Sequence, residues 1–498
     1  MKVATQKSYR LMHTWVGLIT GSLLFIAFYA GAITVFSHEL YQWLHQARSG
    51  PTVSQPVADQ DLSTSLPVLQ QQIDTLLQKK PEASHGFSLL LPGHHGPEAQ
   101  LLWFDSKQGM QHKVTMQDGE LQLSPAREDL VSFIYDLHFT AGLPRTFGTY
   151  LFGIVCILYG LALVSGVVIY TPVIVRDLLA MRWQQGMKTR WLDLHNLFGI
   201  TSLPFHIIFA WSGAVLTIGF VLLAPFQFTV YDGKLLEILE PEFEVLPHVE
   251  PAGKTQPLVP LDVLYAKAQQ TLPALHISSA FYHDAGDLHG NVTFFGDYQQ
   301  AAGEQTLTAT AAVVLSTADG KVVGMLTPEQ FRPGTVFLRG LQSLHYGNFA
   351  GDTGKWLYFV LGLAGALLFY SGNWLWLRRK LAEGNDWKLR LMAGLTNGVC
   401  LGTVAAISLL FAVAAWLPAS WNHPLYVAVL AISVAWALLR PARAARTELL
   451  ALSALLTLLV PLCHWSTASL QLLTALTALL LALLLAALAR WSYQHKSA

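Results

Sequence analysis

Eight uncharged, apolar stretches constrain this chain more than any other feature of its sequence. Most are long enough, at about 1.5 Å of helix rise per residue, to cross the roughly 30 Å hydrocarbon core of a bilayer. Hydrophobic residues fill 53% of the 498 positions and charged residues only 12%, unlike an ordinary soluble protein. The stretches are residues 11–37, 147–175, 194–228, 356–377, 391–417, 425–439, 449–464 and 468–489. The sequence therefore predicts an α-helical integral membrane protein with about eight transmembrane helices.

Basic residues recur in alternate connections between these stretches, beginning at the N-terminus. The positive-inside rule then places both termini in the cytoplasm. The two long connections are predicted to lie on the exported side. The predicted segments are a first span at 1–37, an exported domain at 38–146, a second span at 147–175, a cytoplasmic loop at 176–192, a third span at 193–228, an exported domain at 229–355, a fourth span at 356–377, a cytoplasmic loop at 378–390 and a C-terminal four-helix transmembrane bundle at 391–498.

Each long connection shows a helical pattern followed by alternating strand patterns. The Asp-Gly pairs at 118–119 and 319–320 suit tight hairpin turns between strands. Each connection is therefore predicted to be a small α+β domain. The helical patterns cover 66–78 and 260–272, and the strand patterns cover 99–104, 113–123, 291–296 and 308–326.

The first half of the chain repeats in the second half. The repeated unit is a helix, an exported domain and a second helix, used twice in parallel. A histidine recurs at both ends of the unit, which is harder to attribute to chance than matching glycines. The coinciding positions are His13 with His195, Gly17 with Gly199, Gly31 with Gly213, His138 with His345, and, after a one-residue shift, Ser165-Gly166 with Ser371-Gly372.

Five histidines in or beside the apolar stretches are the candidate metal ligands, because a histidine in hydrocarbon is costly unless it is paired or ligated. One pair, near the cytoplasmic ends of two pseudo-symmetric helices, suits bis-histidine ligation of a b-type haem. Two arginines about one turn away could pair with its propionates. A second haem on the exported side could use two of the other three histidines. The first pair is His13 and His195 with Arg10 and Arg190, and the other three are His138, His206 and His345.

His206 has no counterpart in the first half, where Leu24 occupies the equivalent position. Eleven helical residues separate His195 from His206, so both imidazoles are predicted on one helix face, about 16 Å apart. His206 is either a ligand of the exported-side haem, which would displace His138 or His345, or a group beside a symmetric His138–His345 pair.

Net charge and cysteine usage exclude several classes of function. Lys and Arg together number 31, as do Asp and Glu, so no basic excess suggests nucleic acid as a partner. Cys156, Cys400 and Cys463 all lie in apolar runs without CxxC spacing. This argues against disulfides, thiolate-bound clusters and covalent c-type haem attachment.

Five segments resemble the PepSY-associated transmembrane proteins, also described as iron-regulated membrane proteins, whose better understood members are inner-membrane ferric-siderophore reductases. They are LMHTWVGLITG, DLHFTAGLP, DLHNLFGITSLPFHIIFAWSG, SLHYGNFAG and VVLSTADGKVVG. The resemblance covers about residues 1–380. It implies a four-helix haem-binding core with two PepSY-like periplasmic domains, and it supports the five histidines as ligands. The last four spans lie beyond it.

The expected function is that of a haem-containing reductase of the bacterial inner membrane with two b-type haems, and its exported domains are expected in the periplasm. Electrons would enter from a cytoplasmic donor or membrane quinol and reduce a ferric siderophore on the periplasmic side, since Fe(II) is held less firmly by hard oxygen ligands. The alternative is a PepSY-domain sensor or protease-regulating membrane protein without redox activity. A transporter built on the parallel repeat is a further alternative, although the near absence of acidic residues in the spans argues against ion coupling.

Overall fold

The structure is a computed structural model, and it describes residues 3–49, 62–92, 99–107, 110–126, 129–174, 182, 187–243, 250–299, 307–384, 386–464 and 472–494. Within these residues, eight helices are long and apolar enough to cross a membrane, which confirms the number predicted from the sequence. The chain is a multi-pass membrane protein. The predicted loop at 176–192 lies largely outside the described residues.

The eight candidate spans are Thr5–Thr34, Arg145–Val173, Leu203–Thr229, Gly351–Leu381, Trp387–Val413, Ala419–Leu439, Ala442–Cys463 and Leu473–Gln494. In chain order, the helices are α1 (Val3–Thr34), α2 (Ser37–Ser49), α3 (Leu62–Lys79), α4 (Leu130–Thr140), α5 (Arg145–Tyr170), α6 (Met187–Thr201), α7 (Leu203–Thr229), α8 (Leu235–Phe243), α9 (Leu261–Thr271), α10 (Pro333–Tyr346), α11 (Gly351–Glu383), α12 (Trp387–Val413), α13 (Asn422–Leu439), α14 (Ala442–Cys463) and α15 (Leu472–Gln494).

The two long connections contribute four strands each to a single antiparallel sheet. Its order is β4-β3-β2-β1-β5-β6-β7-β8, so the two halves join through β1 and β5. The two α+β domains predicted from the sequence are therefore fused edge to edge. The strands are β1 (Gly86–Leu90), β2 (Gln100–Asp105), β3 (Met110–Gln117), β4 (Glu120–Pro125), β5 (Leu275–His283), β6 (Asn291–Tyr298), β7 (Thr310–Ser316) and β8 (Val322–Leu326).

One hydrophobic core underlies both halves of the sheet. Helix α3 contributes Ile73 and α9 contributes Leu264, and both side chains are buried in the same cluster. At the joint, the rings of Phe87 and Tyr282 stack with their centres 4.6 Å apart. Because these two residues are register partners across β1 and β5, their burial favours fusion of the two halves over two separate edges.

The hairpin turns predicted at the Asp-Gly pairs are present. Asp118 and Gly119 join β3 to β4 with φ values of 53° and 80°, the backbone of a type I′ turn. Gly320, between β7 and β8, has φ of 70°. The Asp-Gly pairs thus supply the left-handed backbone that these connections require.

The helix predicted to carry both His195 and His206 is divided into α6 and α7. Ser202 has φ of −100° and ψ of 12°, and Pro204 opens α7. Proline lacks an N–H and its ring crowds the preceding turn, which interrupts a helix. The expectation that the two imidazoles share one face of a continuous helix is therefore wrong.

Helices α1, α5, α7, α6 and α11 form the bundle beneath the sheet. Helix α1 packs on α5 and α11, α5 packs on α7, and α6 packs on α11. The C-terminal bundle is centred on α12, whose Gly394, Gly398 and Gly402 face α13. A Cβ on Gly398 would lie 2.5 Å from Cα of Val434. Small residues at four-residue spacing therefore let these two helices approach closely.

We call the end of the bundle next to the sheet the sheet side and the opposite end the far side. The C-terminus of α1, the N-terminus of α5, the C-terminus of α7 and the N-terminus of α11 lie on the sheet side, because the sheet is inserted between each pair.

Replacing Phe87 with Ala should destabilise the sheet. Phe87 is 1% exposed and stacks on Tyr282, and removing a buried Phe ring costs about 3–5 kcal/mol. Limited proteolysis during thermal unfolding in detergent measures the effect. Phe104, on β2 and 57% exposed, is the control, and Phe104→Ala should change little. Equal midpoints for the two variants would contradict a fused core at this joint.

Candidate functional site

His13 of α1 and His195 of α6 lie side by side on the far side of the bundle. Their ring centres are 6.3 Å apart and their planes meet at 79°. Nδ1 of His13 is 2.9 Å from the carbonyl oxygen of Ala162, and Nδ1 of His195 is 3.2 Å from that of Leu368. A carbonyl can only accept, so each Nδ1 donates and each Nε2 is left as the basic nitrogen.

His138 of α4 and His345 of α10 form a second pair on the sheet side. Their ring centres are 5.8 Å apart. Nδ1 of His138 donates to the carbonyl oxygen of Ala27 at 2.7 Å. Nδ1 of His345 is 2.7 Å from the Ser212 hydroxyl, which itself donates to the Ile208 carbonyl and so accepts from the imidazole. This pair also presents both Nε2 atoms as basic nitrogens.

The two halves of the repeat build the far-side pair in the same way. The hydroxyl of Ser165 lies 3.3 Å from Nδ1 of His13, and that of Ser371 lies 3.4 Å from Nδ1 of His195. The glycine after each serine faces the ring, and a Cβ there would lie 3.1 Å from Cε1 of the histidine in both cases. The serine–glycine pairs matched in the sequence thus occupy equivalent positions.

Burial keeps the sheet-side imidazoles neutral. It lowers the pKa of His345 to about 3, with His138 adding to the shift. It also lowers the pKa of His138 below 6.5, against the opposing effect of the hydrogen bond to Ala27. Both rings are therefore in the neutral form, which can donate from Nδ1 and bind a metal through Nε2.

A cavity of about 790 Å³ adjoins the sheet-side pair. His138 and His345 line it together with rings such as Phe152 and Phe209, and so does Arg145, whose guanidinium lies 3.4 Å from the carboxylate of Asp136. Its volume lies within the range of about 300–1,000 Å³ typical of cofactor sites. Apolar side chains and glycines form the larger part of its lining, and Ser, Thr and Tyr hydroxyls contribute to the rest.

His206 belongs to neither pair. It is completely buried, and its Nδ1 hydrogen-bonds to the hydroxyl of Tyr159. Its ring contacts are aromatic, including Phe28 at 5.6 Å and Phe369 at 6.3 Å. Among the described residues, its Nε2 has no hydrogen-bond partner. Of the two arrangements left open by the sequence, the geometry favours the symmetric His138–His345 pair.

The two arginines proposed for propionates differ in their surroundings. Arg10 lies one turn before His13 and is exposed, whereas Arg190 lies five residues before His195 and is half-buried. Both are on the far side, at the ends of the helices that carry the pair.

An ion pair ties Arg182 to Asp193, in the first half of α6. Asp193, 3% exposed, accepts from the backbone N–H of Arg182 at 2.9 Å and from its guanidinium. Asp193 lies two residues before His195, so this clip helps to set the position of that ring. No local pattern in the sequence indicates this pairing across eleven residues.

Sequence reasoning also missed Tyr159, Ser212 and Arg145. Tyr159 and Ser212 each contact a histidine that is distant in the chain: Tyr159 is 47 residues from His206, and Ser212 is 133 residues from His345. No local pattern marks such contacts, since Ser and Tyr are ordinary residues in transmembrane helices.

The residues present fit a haem better than a bare metal ion. Within the described ranges, no group of three or more His, Cys, Asp or Glu side chains converges as a metal site. Two opposed imidazoles, each about 2 Å from a shared metal ion, have ring centres about 6 Å apart, close to both measured separations. The remaining ligands must then come with the metal, as the four nitrogens of a haem do.

The fold and the paired histidines define a multi-pass membrane protein with an extramembrane sheet and two pairs of partly buried imidazoles. Residues 10–379 match the family described as PepSY-associated TM region. The chain belongs to this family, as its motifs suggested. It is also 30% identical over 251 residues, 47% of this chain, to Uncharacterized protein PA4219 of Pseudomonas aeruginosa, and the match spans 60% of that protein.

Replacing Tyr159 with Phe should lower the thermal unfolding midpoint. The change removes the partner of Nδ1 in a completely buried imidazole, and such an unpaired group costs about 1–3 kcal/mol. Tryptophan fluorescence of the protein in detergent at neutral pH measures the midpoint. Tyr150→Phe, on the same helix at a position that is 49% exposed, is the control. Equal midpoints would show that the Tyr159–His206 contact contributes nothing to stability.

Proposed function

We propose that this protein is a haem-containing inner-membrane reductase that carries electrons across the bilayer to ferric iron bound by a siderophore. The observation that carries the proposal is the pair of bis-histidine arrangements, with ring centres 6.3 Å and 5.8 Å apart. Each imidazole has Nδ1 occupied by an oxygen acceptor and Nε2 left basic. This is the arrangement in which a protein holds a bis-histidine b-type haem.

The two pairs are placed to serve opposite faces of the membrane. His13 and Ala27, the α1 residues that mark the two pairs, are fourteen residues apart, or about 21 Å along the helix. That separation is a large part of the roughly 30 Å hydrocarbon core. A haem supplies reversible one-electron chemistry when bound, and two haems are proposed here.

The chain itself positions and shields the cofactor. The backbone carbonyls of Ala162, Leu368 and Ala27 fix the tautomer and the orientation of three rings. Such hydrogen bonds also raise the basicity of the ligating nitrogen. On the sheet side, Arg145 lines the cavity and is already paired with Asp136, and we propose that its remaining guanidinium donors bind an acidic substituent of the cofactor.

Several parts of the proposal concern location and partners. The basic connections favour both termini in the cytoplasm and the sheet in the periplasm. Electrons are then donated by membrane quinol or a cytoplasmic reductant. The acceptor is a ferric siderophore, and one electron converts its Fe(III) to Fe(II), which hard oxygen ligands hold less firmly.

The protein purified in detergent from haem-replete cells should show a bis-histidine b-type spectrum with about two haems per chain. His13→Ala and His195→Ala should each remove the same haem, because a bis-histidine site needs both ligands. The double variant should lose no more haem than either single variant. Pyridine haemochrome assay and reduced-minus-oxidised visible spectra measure the content.

His206→Leu is the matched control, because it removes a buried histidine outside both pairs and installs the residue type found at Leu24. It should retain both haems. If His206→Leu loses one haem while His138→Ala retains both, His206 and not His138 is the sheet-side ligand, and the symmetric pair is the wrong assignment. A colourless, folded protein would refute the electron-transfer function as a whole.

Replacing Gly31 with Ala should disrupt the sheet-side haem only. A Cβ at Gly31 would lie 2.6 Å from Nδ1 of His138, whereas one at Gly17, on the same helix, meets nothing within 4 Å. Both changes raise helix propensity by a similar amount. We expect Gly31→Ala to reduce haem content from about two to about one, and Gly17→Ala to leave it unchanged, by the same assay. Equal content in the two variants would argue against His138 as a ligand.

A further inference from the structure

A second cavity lies between the second half of the sheet and α10. Its volume is about 290 Å³, and Phe295, Phe331 and Leu326 form its apolar walls. Thr310 and Arg339 are among its polar groups. The volume is at the lower end of the range for ligand sites, about 300 Å³, so the cavity suits one arm of a larger ligand.

The guanidinium of Arg339 is the notable charge in this cavity. Arg339 is half-buried, and no side chain among the described residues pairs with it. Asp297 lines the same cavity but forms no ion pair with Arg339. Burial lowers the pKa of Arg339, yet a guanidinium remains charged at neutral pH. A partly desolvated charge without a partner is unfavourable, so a bound anion would be stabilising here.

Helix α10 separates this cavity from the larger one. Arg339 faces the smaller cavity, while Gln342, His345 and Tyr346 line the larger cavity. Six residues separate Arg339 from His345, or about 9 Å along the helix axis. A ligand held by Arg339 therefore lies across a single helix from the His138–His345 pair.

We propose that Arg339 and its cavity form an anchoring subsite for a free carboxylate of the ferric chelate that accepts the electrons. This rests on the proposed function for the class of ligand. The planar guanidinium fork matches the two oxygens of a carboxylate. Phe295 and Phe331 provide apolar contacts for the carbon skeleton beside that carboxylate. A lipid phosphate offers similar anionic chemistry, and the experiment separates the two.

Binding of gallium(III) citrate tests the subsite, because gallium(III) is not reduced and citrate carries carboxylates. Isothermal titration calorimetry is performed on the full chain in phosphatidylcholine nanodiscs. Arg339→Met should weaken binding about tenfold or more, and Arg339→Lys should retain part of the affinity. Arg332→Met removes an exposed charge from the start of α10, outside the cavity lining, and should bind as the wild type does.

A neutral complex provides a second control. The gallium complex of desferriferrichrome, an uncharged trihydroxamate, should bind Arg339→Met and the wild type equally. An equal loss of affinity for this complex would indicate a general disturbance of the fold and overturn the assignment to a carboxylate.

Three further outcomes overturn the proposal. The first is unchanged affinity for gallium citrate in Arg339→Met, and the second is an equal loss of that affinity in Arg332→Met. The third is a Kd of the wild type for gallium citrate that, in phosphatidylglycerol nanodiscs, rises to the Kd of Arg339→Met, which would assign the cavity to a lipid headgroup. The visible spectrum of Arg339→Met should match the wild type. Protein that lacks haem but still needs Arg339 for gallium citrate would refute the reductase function and leave the subsite intact.

Discussion

The hydrogen bond from a histidine Nδ1 to an oxygen of a neighbouring helix is the interaction on which the rest of this site depends. An imidazole in an apolar bundle needs a partner for each nitrogen. The carbonyls of Ala162, Leu368 and Ala27 each accept a hydrogen bond from the Nδ1 of one ring and leave its Nε2 as the basic nitrogen. Because each such bond joins two helices, the packing of the bundle also fixes the position of each ring. A shift of either helix would change the ring separation.

The internal repeat explains why there are two pairs, and its departures show where the halves differ. The far-side pair uses equivalent serine–glycine contacts in both halves. On the sheet side, His138 donates to a carbonyl, whereas His345 donates to the hydroxyl of Ser212. Leu24 and His206 occupy equivalent positions of the repeat, but one side chain is apolar and the other is an imidazole. The first half therefore fills this position with an apolar side chain, and the second half fills it with an imidazole that needs Tyr159.

The sequence was sufficient for features that depend on local pattern and insufficient for those that depend on tertiary contact. Hydropathy predicted the eight spans, and Asp118-Gly119 predicted its hairpin, because chain length and backbone preference decide both. The repeat placed His13 with His195 and His138 with His345. Periodicity alone wrongly continues one helix from His195 to His206, because apolar spacing does not register the break that Ser202 and Pro204 introduce. The joining of β1 to β5 depends on which edges meet in space, and no alternation pattern encodes that.

The C-terminal bundle, which shows no chemistry of its own, has a structural connection to the sheet-side pair. Tyr426 of α13 is 1% exposed and its ring lies 5.6 Å from that of Phe133 in α4. Nε2 of His423 donates to the carbonyl oxygen of Gly142 at 2.9 Å. The two contacts lie on either side of His138 in the chain: Phe133 precedes it in α4, and Gly142 follows it in the connection to α5. The bundle thus packs against α4, the helix that carries one of the four paired imidazoles. A helix of only eleven residues is marginally stable through its own hydrogen bonds, so its position depends on packing against neighbours such as this bundle.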